Sequence, residues 1–222
     1  MAVALLVILA GYLISAIPVA YIAGRLRGID IRRYGTANVG ASNVYQVVAH
    51  WAVVPVGVAQ IALAMAGIAL AKLLDQDLSV QVAAGVAAIV GAAWSAYLGF
   101  SGGRGITASI GFMLAFSPVT LAVFTVVALV GVLARSVPLA VGLGIALAPL
   151  SALIVDGPGP IAVGCLCLAS VVFAKRLLSN PGASLEGLDR RAVMLNRLLF
   201  DRDVRDRDEW VRKGLGGHSG RA

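Results

Sequence analysis

The stretch ITASIGFMLAFSPVTLAVFTVVALVGVLA, Ile106 to Ala134, carries no charge. A bilayer core about 30 Å thick is crossed by roughly 20 apolar residues, so the stretch reads as one long helix or as two short ones folded at Ser117-Pro118. Charges beside the apolar runs choose between these, because Lys and Arg near span ends favour the cytoplasm while Asp and Glu contribute little. With two helices, Arg25, Arg27, Arg32, Arg33, Arg104, Arg135, Lys175, Arg176 and the basic tail all face one side. Of the 18 basic residues only Lys72 falls on the other, beside Asp75 and Asp77. With one helix, Arg135 and the tail would both be exported. Two helices it is.

Working outward, apolar runs predict helices over about Val3–Gly24, Trp51–Leu74, Ser79–Leu98, Val137–Val155 and Pro160–Ala174. The expectation is an all-α polytopic membrane protein with seven transmembrane helices, its N-terminus outside and its C-terminus cytoplasmic. Residues 1–180 form the membrane domain, and 181–222 form a charged cytoplasmic tail. Apolar residues make up 59% and charged residues 13%, against roughly 25% charge in soluble domains. A soluble fold is therefore excluded. The first basic residues follow the first apolar run instead of preceding it, so that run reads as a span and not as a cleaved signal.

The net charge of +7 sits between spans and in the tail, which suits anionic headgroups and a phosphorylated substrate better than nucleic acid. Cys165 and Cys167 lie two apart and would point in different directions on a helix, so neither a disulfide nor a metal pair is expected. No metal site is expected at His50 or His218 either. Small residues such as Ala64, Gly67, Gly85, Gly91, Gly142 and Gly144 allow close helix approach. In the tail, Leu188, Val193, Leu195, Leu198 and Leu199 suggest one face of an interfacial helix, with Arg190, Arg191 and Arg197 on another. Asp201 to Glu209 reads as a solvated charged segment.

Two polar segments fall on the cytoplasmic side of this topology. Gly35-Thr36-Ala37-Asn38-Val39-Gly40-Ala41-Ser42-Asn43 lacks apolar periodicity and is dense in small hydroxyl and amide residues. Glycines let the backbone approach a ligand, and exposed N–H groups can form an anion nest. Ser101-Gly102-Gly103-Arg104-Gly105-Ile106-Thr107 opens a helix, and a glycine-flanked helix start with an arginine suits phosphate. Singly, each segment also reads as a simple turn, and Arg104 as a topological anchor. Together on one face they favour a phosphate site.

These residues resemble a known family. Gly11-Tyr12, Ile17-Pro18, Tyr21, Gly24-Arg25, Gly28 to Arg32 and Gly35 to Asn43 are similar to the first motif of the PlsY-type acyl-phosphate:glycerol-3-phosphate acyltransferases, approximately GSGNxGxTN after GxIPxxY. Gly91, Trp94, Tyr97-Leu98-Gly99-Phe100, Gly102 to Gly105 and Thr107 look like the second, GHxxPxFxxFxGGKGxxT. Arg176 and Asn180 match part of a third, roughly RHxxN. The resemblance implies acyl transfer from acyl phosphate to the 1-hydroxyl of glycerol 3-phosphate, giving lysophosphatidic acid in a bacterial inner membrane with no cofactor. It implies that Thr36, Asn38 and Asn43 orient the reacting groups. Gly35, Gly40, Ser42, Gly102, Gly103, Arg104, Gly105, Thr107, Arg176 and Asn180 would hold substrate.

Departures from the pattern are Thr36 for Ser, Ala37 for Gly, Ser42 for Thr, Gln46 for Arg, Ala92 for His, Arg104 for Lys and Leu177 for His. They leave open a diverged relative that binds phosphorylated lipid precursors without catalysis or uses another acceptor. A small transporter is the reading from a different class, and the nearly charge-free spans speak against it. Membrane lipids are expected partners. Oligomeric state is not legible.

Overall fold

Long runs of Ala, Leu, Val and Ile bounded by Gly, Pro or polar residues become helices, because in lipid every backbone group must be paired internally. The computed structural model describes residues 1–178 and 189–202, and its regular elements there are helical. In chain order they are α1 (Ala2–Ser15), α2 (Val19–Arg25), α3 (Ala41–Val47), α4 (Val53–Leu73), α5 (Leu78–Ala93), α6 (Ile106–Phe116), α7 (Pro118–Leu133), α8 (Val137–Val155), α9 (Pro160–Leu178) and α10 (Arg190–Phe200). Single 3-10 turns occupy Ile31–Arg33 and Ala96–Leu98.

The uncharged stretch divides at Ser117, as its Pro118 and flanking charges suggested. The first expected helix also divides, into α1 and α2. Pro18 has no N–H and disfavours helical geometry in the residue before it, so the chain steps sideways at Ile17. The expected helix to Leu98 ends at Ala93, where Trp94 leaves helical geometry and starts the turn that becomes the site. Pro149 lies inside α8, which continues to Val155.

Among the described residues, four helical stretches are long and apolar enough to cross a membrane: Ala2–Arg25, Val53–Leu73, Val137–Val155 and Pro160–Leu178. The helices α5, α6 and α7 are apolar but shorter. Leu5, Leu6 and Leu9 on α1, Val126, Leu129 and Val130 on α7, and Leu150 and Ile154 on α8 are exposed. Contiguous apolar exposure on this scale belongs against lipid, so this is a membrane protein.

The interior is packed through small residues and one aromatic knot. Phe112 of α6 is fully buried among Ile89, Ile145, Leu168 and Val172 from α5, α8 and α9. Where α1 meets α4, a Cβ on Gly67 would stand 2.6 Å from the Cα of Gly11, so the two backbones touch. Lipid offers no hydrophobic drive for helices to associate, and such close contact supplies the dispersion that replaces it. At the end far from the site, Ser117 Oγ donates to Asp156 Oδ2 (2.5 Å) and lies 2.8 Å from Thr120 Oγ1, which bonds Ser151 (3.1 Å).

In the tail, α10 forms as expected but with different faces. Val193 is buried whereas Leu195 and Leu199 are exposed, because positions two apart on a helix lie about 160° round from each other. Leu188 and Asn180 lie outside the described residues.

Candidate functional site

The first polar segment folds into a loop held from within by one side chain. Asn43 is fully buried in the first turn of α3. Its Oδ1 accepts from Thr36 N (3.0 Å), and its Nδ2 donates to the carbonyls of Ile31 (2.8 Å) and Tyr34 (3.1 Å). Gly35, at φ +59°, lies so close that a Cβ there would collide with Asn43 Oδ1. Ile31, Val39 and Val44 anchor the loop in a small apolar cluster with Ala20 and Val56. Asp30 caps the 3-10 turn before the loop, accepting from Arg32 N, Nε and Nη2 at 3.1, 2.9 and 2.7 Å. Those hydrogen bonds from Arg32 pull its carboxyl down to about 2 despite an opposing effect of burial.

Thr36 and Asn38 are half-buried, with Thr36 Oγ1 accepting a long 3.4 Å contact from Asn38 N. Ser42 and Gln46 are exposed. Ala37 sits at φ +54°, a left-handed conformation natural to the glycine that the family motif carries there.

The second segment is held by its own backbone. After Trp94, Ser95 and Ser101 pair across a tight return, and Gly103 N donates to Ala92 O at 3.0 Å. A Cβ on Gly102 would lie 2.5 Å from Ala93 O and 2.7 Å from Ala92 O, so no other residue fits without moving the chain. Gly105, at φ +77°, turns the chain into α6, and its carbonyl accepts from Ser109 N and Oγ at 2.9 Å each. The first amides of α6, from Ile106 and half-buried Thr107, thus point back towards Arg104 with no helical partner.

The two loops touch. A Cβ on Gly103 would be 2.9 Å from Val39 O, and one on Gly40 would be 4.0 Å from Gly103 Cα. Val39 and Gly40 of the first loop thus meet Gly103 of the second in a backbone seam, with Asn38 beside Gly40, whereas Gly35 packs on Asn43 and Gly102 and Gly105 pack on the end of α5.

Cations collect beside this seam. The Arg104 side chain is 8% exposed, with Nε 2.7 and 3.0 Å from the two carboxylate oxygens of Asp201. Arg176, 3% exposed at the end of α9, donates Nη1 to Leu198 O (2.8 Å) and Nη2 to Pro138 O (3.0 Å), and its buried Nε has no partner. A Cβ on Gly142 would lie 2.6 Å from that Nη1, so the glycine leaves the guanidinium its berth. Lys175 is also buried, its Nζ 4.9 Å from the Trp94 ring centroid. Arg104 lies within Coulombic reach of both. Among the described residues, Arg104, Arg176 and Lys175 thus bring buried positive charge to the same region as the Asp201 carboxylate, a setting that suits an anionic group.

Asp201 is a correction to the sequence reading, which placed it in a solvated segment. The carboxylate is only 26% exposed and meets Arg104 from 97 positions further along the chain. Lys175 escaped the reading because, beside Arg176 at a helix end, it served as a topological marker. Its neighbour Trp94, part of the second motif, was the available signal.

Comparison with known proteins identifies the family. The family model described as glycerol-3-phosphate acyltransferase matches residues 5–184. Glycerol-3-phosphate acyltransferase 4 of Dehalococcoides mccartyi (strain CBDB1) is 33% identical, covering 96% of this chain and 95% of its own. A glycerol-3-phosphate acyltransferase of Rubrobacter xylanophilus is 28% identical over 84% of this chain and 94% of its own. Crystal structures of PlsY (YgiH), an integral membrane glycerol 3-phosphate acyltransferase, share the fold at 24% identity. Its glycerol 3-phosphate form superposes with a TM-score of 0.73 over 78% of this chain and 88% of that one. Its lysophosphatidic acid form gives 0.71 over 88% and 98%. With a family match across most of its length and both loop motifs joined in one seam, the chain belongs to the glycerol-3-phosphate acyltransferase family.

Proposed function

We propose that this protein transfers a fatty acyl group from acyl phosphate to the 1-hydroxyl of glycerol 3-phosphate, releasing inorganic phosphate and lysophosphatidic acid. The observation that carries this is the contact of the two glycine loops beside Arg104, which joins two distant motifs in one place. Arg104, Arg176 and the first amides of α6 hold substrate phosphate, and Asp201 yields its place on Arg104 when that phosphate arrives. Thr36 and Asn38 orient the reacting hydroxyl and carbonyl, with Ser42 and Thr107 at the margins. Asn43 acts as a positioning residue, since its amide is spent on the loop. Asn180 joins the phosphate ligands in this reading.

The new ester C–O bond forms as the acyl C–O bond to phosphate breaks, and the hydroxyl proton leaves on the released phosphate. Acyl phosphate is already activated, so positioning and charge stabilisation suffice, and the absence of the motif histidines at Ala92 and Leu177 is tolerated. Residues 1–180 act as a seven-span domain in a bacterial inner membrane, with the N-terminus outside and the site, the tail and the C-terminus on the cytoplasmic side.

A second reading, a relative that binds phosphorylated lipid precursors without turnover, draws on the Asp201 carboxylate already seated on Arg104. One assay separates the two. Purified full-length protein in lipid vesicles is supplied with acyl phosphate and labelled glycerol 3-phosphate. Labelled lysophosphatidic acid supports the transferase, while substrate-dependent thermal stabilisation without product supports the binder. Cysteine accessibility at Thr36 and Arg104 tests the topology, and labelling from opposite faces would dissolve the shared site.

A further inference from the structure

We infer that a crevice behind the two glycine loops seats an uncharged reactant oxygen, held by Ser15 and Gln60. The inference rests on the acyl-transfer reading above and adds to the site Gln60, which lies outside the motifs, and Ser15, which stands at the place of the first glycine of GxIPxxY. The crevice has an open volume of about 210 Å³ and runs between the α1–α2 break, α4 and both loops, with Val39, Leu98, Gly102 and Gly103 among its walls. Its enclosed part has room for a single water-sized group.

Two polar side chains enter it unpaired. Ser15, the last residue of α1, is fully buried, and its Oγ has no hydrogen-bond partner. Gln60 of α4 is 6% exposed, and its carboxamide makes no hydrogen bond among the described residues. A third polar wall residue, Ser95, is satisfied at once by Ala16 O (2.6 Å), so the crevice does not prevent pairing in general. Natives leave few buried polar groups unpaired, and an apolar residue at either position would fit lipid-buried helices better. Unpaired donors kept at a fixed place are a standing cost that a ligand atom can relieve.

The chemistry of that atom follows from the lining. Among the described residues no charged side chain lines the crevice, which does not suit a phosphate. Arg104, one residue beyond Gly103, supplies that function outside. The crevice takes the neutral end of the same chemistry, the acyl carbonyl oxygen one carbon from the donor phosphate or the 1-hydroxyl three glycerol carbons from the acceptor phosphate. The Gln60 N–H and the Ser15 O–H both donate. Donors fixed in a dry site gain most on an oxygen whose negative charge grows during reaction, as the carbonyl oxygen does while the hydroxyl adds and phosphate departs.

The test uses the full chain and the vesicle assay, with Gln60→Leu and Ser15→Ala compared with wild type for kcat, KM for glycerol 3-phosphate, and Tm. The expected result for Gln60→Leu is a fall of about 10²-fold in kcat with Tm held or raised. Ser15→Ala should give a smaller fall in the same constant. A rise in KM with kcat held would also support the seat and assign the oxygen to the glycerol hydroxyl instead of the acyl carbonyl. Wild-type constants in both variants would overturn it, as would a lowered Tm with activity falling in step, since the side chains would then serve packing alone. An inactive wild type would overturn the transferase reading itself, whereas an active wild type with unaffected variants would overturn only the crevice.

Discussion

The two loops of the seam look alike in composition and are built on opposite principles. The loop from Gly35 to Asn43 is held by a side chain, since the Asn43 carboxamide reaches back to three backbone groups and fills the loop from inside. The loop from Ser95 to Gly105 is held by missing side chains, since Gly102 and Gly103 let the backbone lie against Ala92, Ala93 and Val39. The first kind of loop tolerates a poor backbone residue, as Ala37 at φ +54° shows. The second also carries one, Phe100 at φ +61°, but leaves no room for a side chain at Gly102. Chemistry divides the same way, with neutral donors on the first and the permanent charge of Arg104 on the second.

Substitutions in and beside the two loops test this contrast, from the largest expected effect to the smallest. Gly102→Ala should be the most damaging, because its methyl would meet two carbonyl oxygens at 2.5 and 2.7 Å. We expect a loss of about 3 kcal/mol, read as a collapse of Tm in detergent, with no activity in the folded remainder. If this variant melts like wild type, the second loop is not held by close backbone contact.

Arg104→Ala should lower kcat/KM for glycerol 3-phosphate by about 10²-fold while leaving Tm within a few degrees, and Arg104→Lys should restore part of the rate. An equal deficit from Thr36→Ala would erase the division of charge between the loops. Asn43→Leu strands two carbonyls and one N–H, so a loss of about 2 kcal/mol is expected. Asn43→Asp keeps the acceptor for Thr36 N but not the donors, and should recover only a fraction of that in thermal melts.

Ala37→Gly runs the other way. Relief of the left-handed backbone should stabilise the protein by about 1 kcal/mol, with activity maintained or improved. A destabilised variant would mean that the loop bears no strain there. Asp30→Asn is the mildest. The Asp30 carboxyl titrates near 2 when folded, below its ordinary 3.8, so its contribution is present above about pH 4 and drains away as pH falls through 2. Its partner Arg32 is 40% exposed, which limits the contribution to less than about 1 kcal/mol. Melts of the variant and wild type should differ slightly at pH 7 and converge near pH 2.

Both loops were visible as motifs, yet the reason each is stable was not. Asn38 and Asn43 look equivalent on the page, and only the fold turns Asn43 inward while Asn38 stays by the seam. The family's glycine at position 37 signalled a departure, whereas its meaning, a positive φ, needed the loop's closure. The break at Pro118 was legible because flanking charges demanded it. The break at Pro18 was missed because no charge lies near enough to require one.

What the sequence determined by itself is whatever local composition and spacing control. Apolar length sets the helices, Ser117-Pro118 splits the uncharged stretch, small residues mark close crossings, and the two glycine motifs mark the loops that meet. What only the tertiary structure decided is which distant groups share a space. Asp201 meets Arg104, Arg197 donates to Leu177 O, Lys175 stacks on Trp94, and Gln60 and Ser15 face one crevice. Pairings of that kind depend on how rigid helices register against one another, a property of the packed bundle and of no single segment.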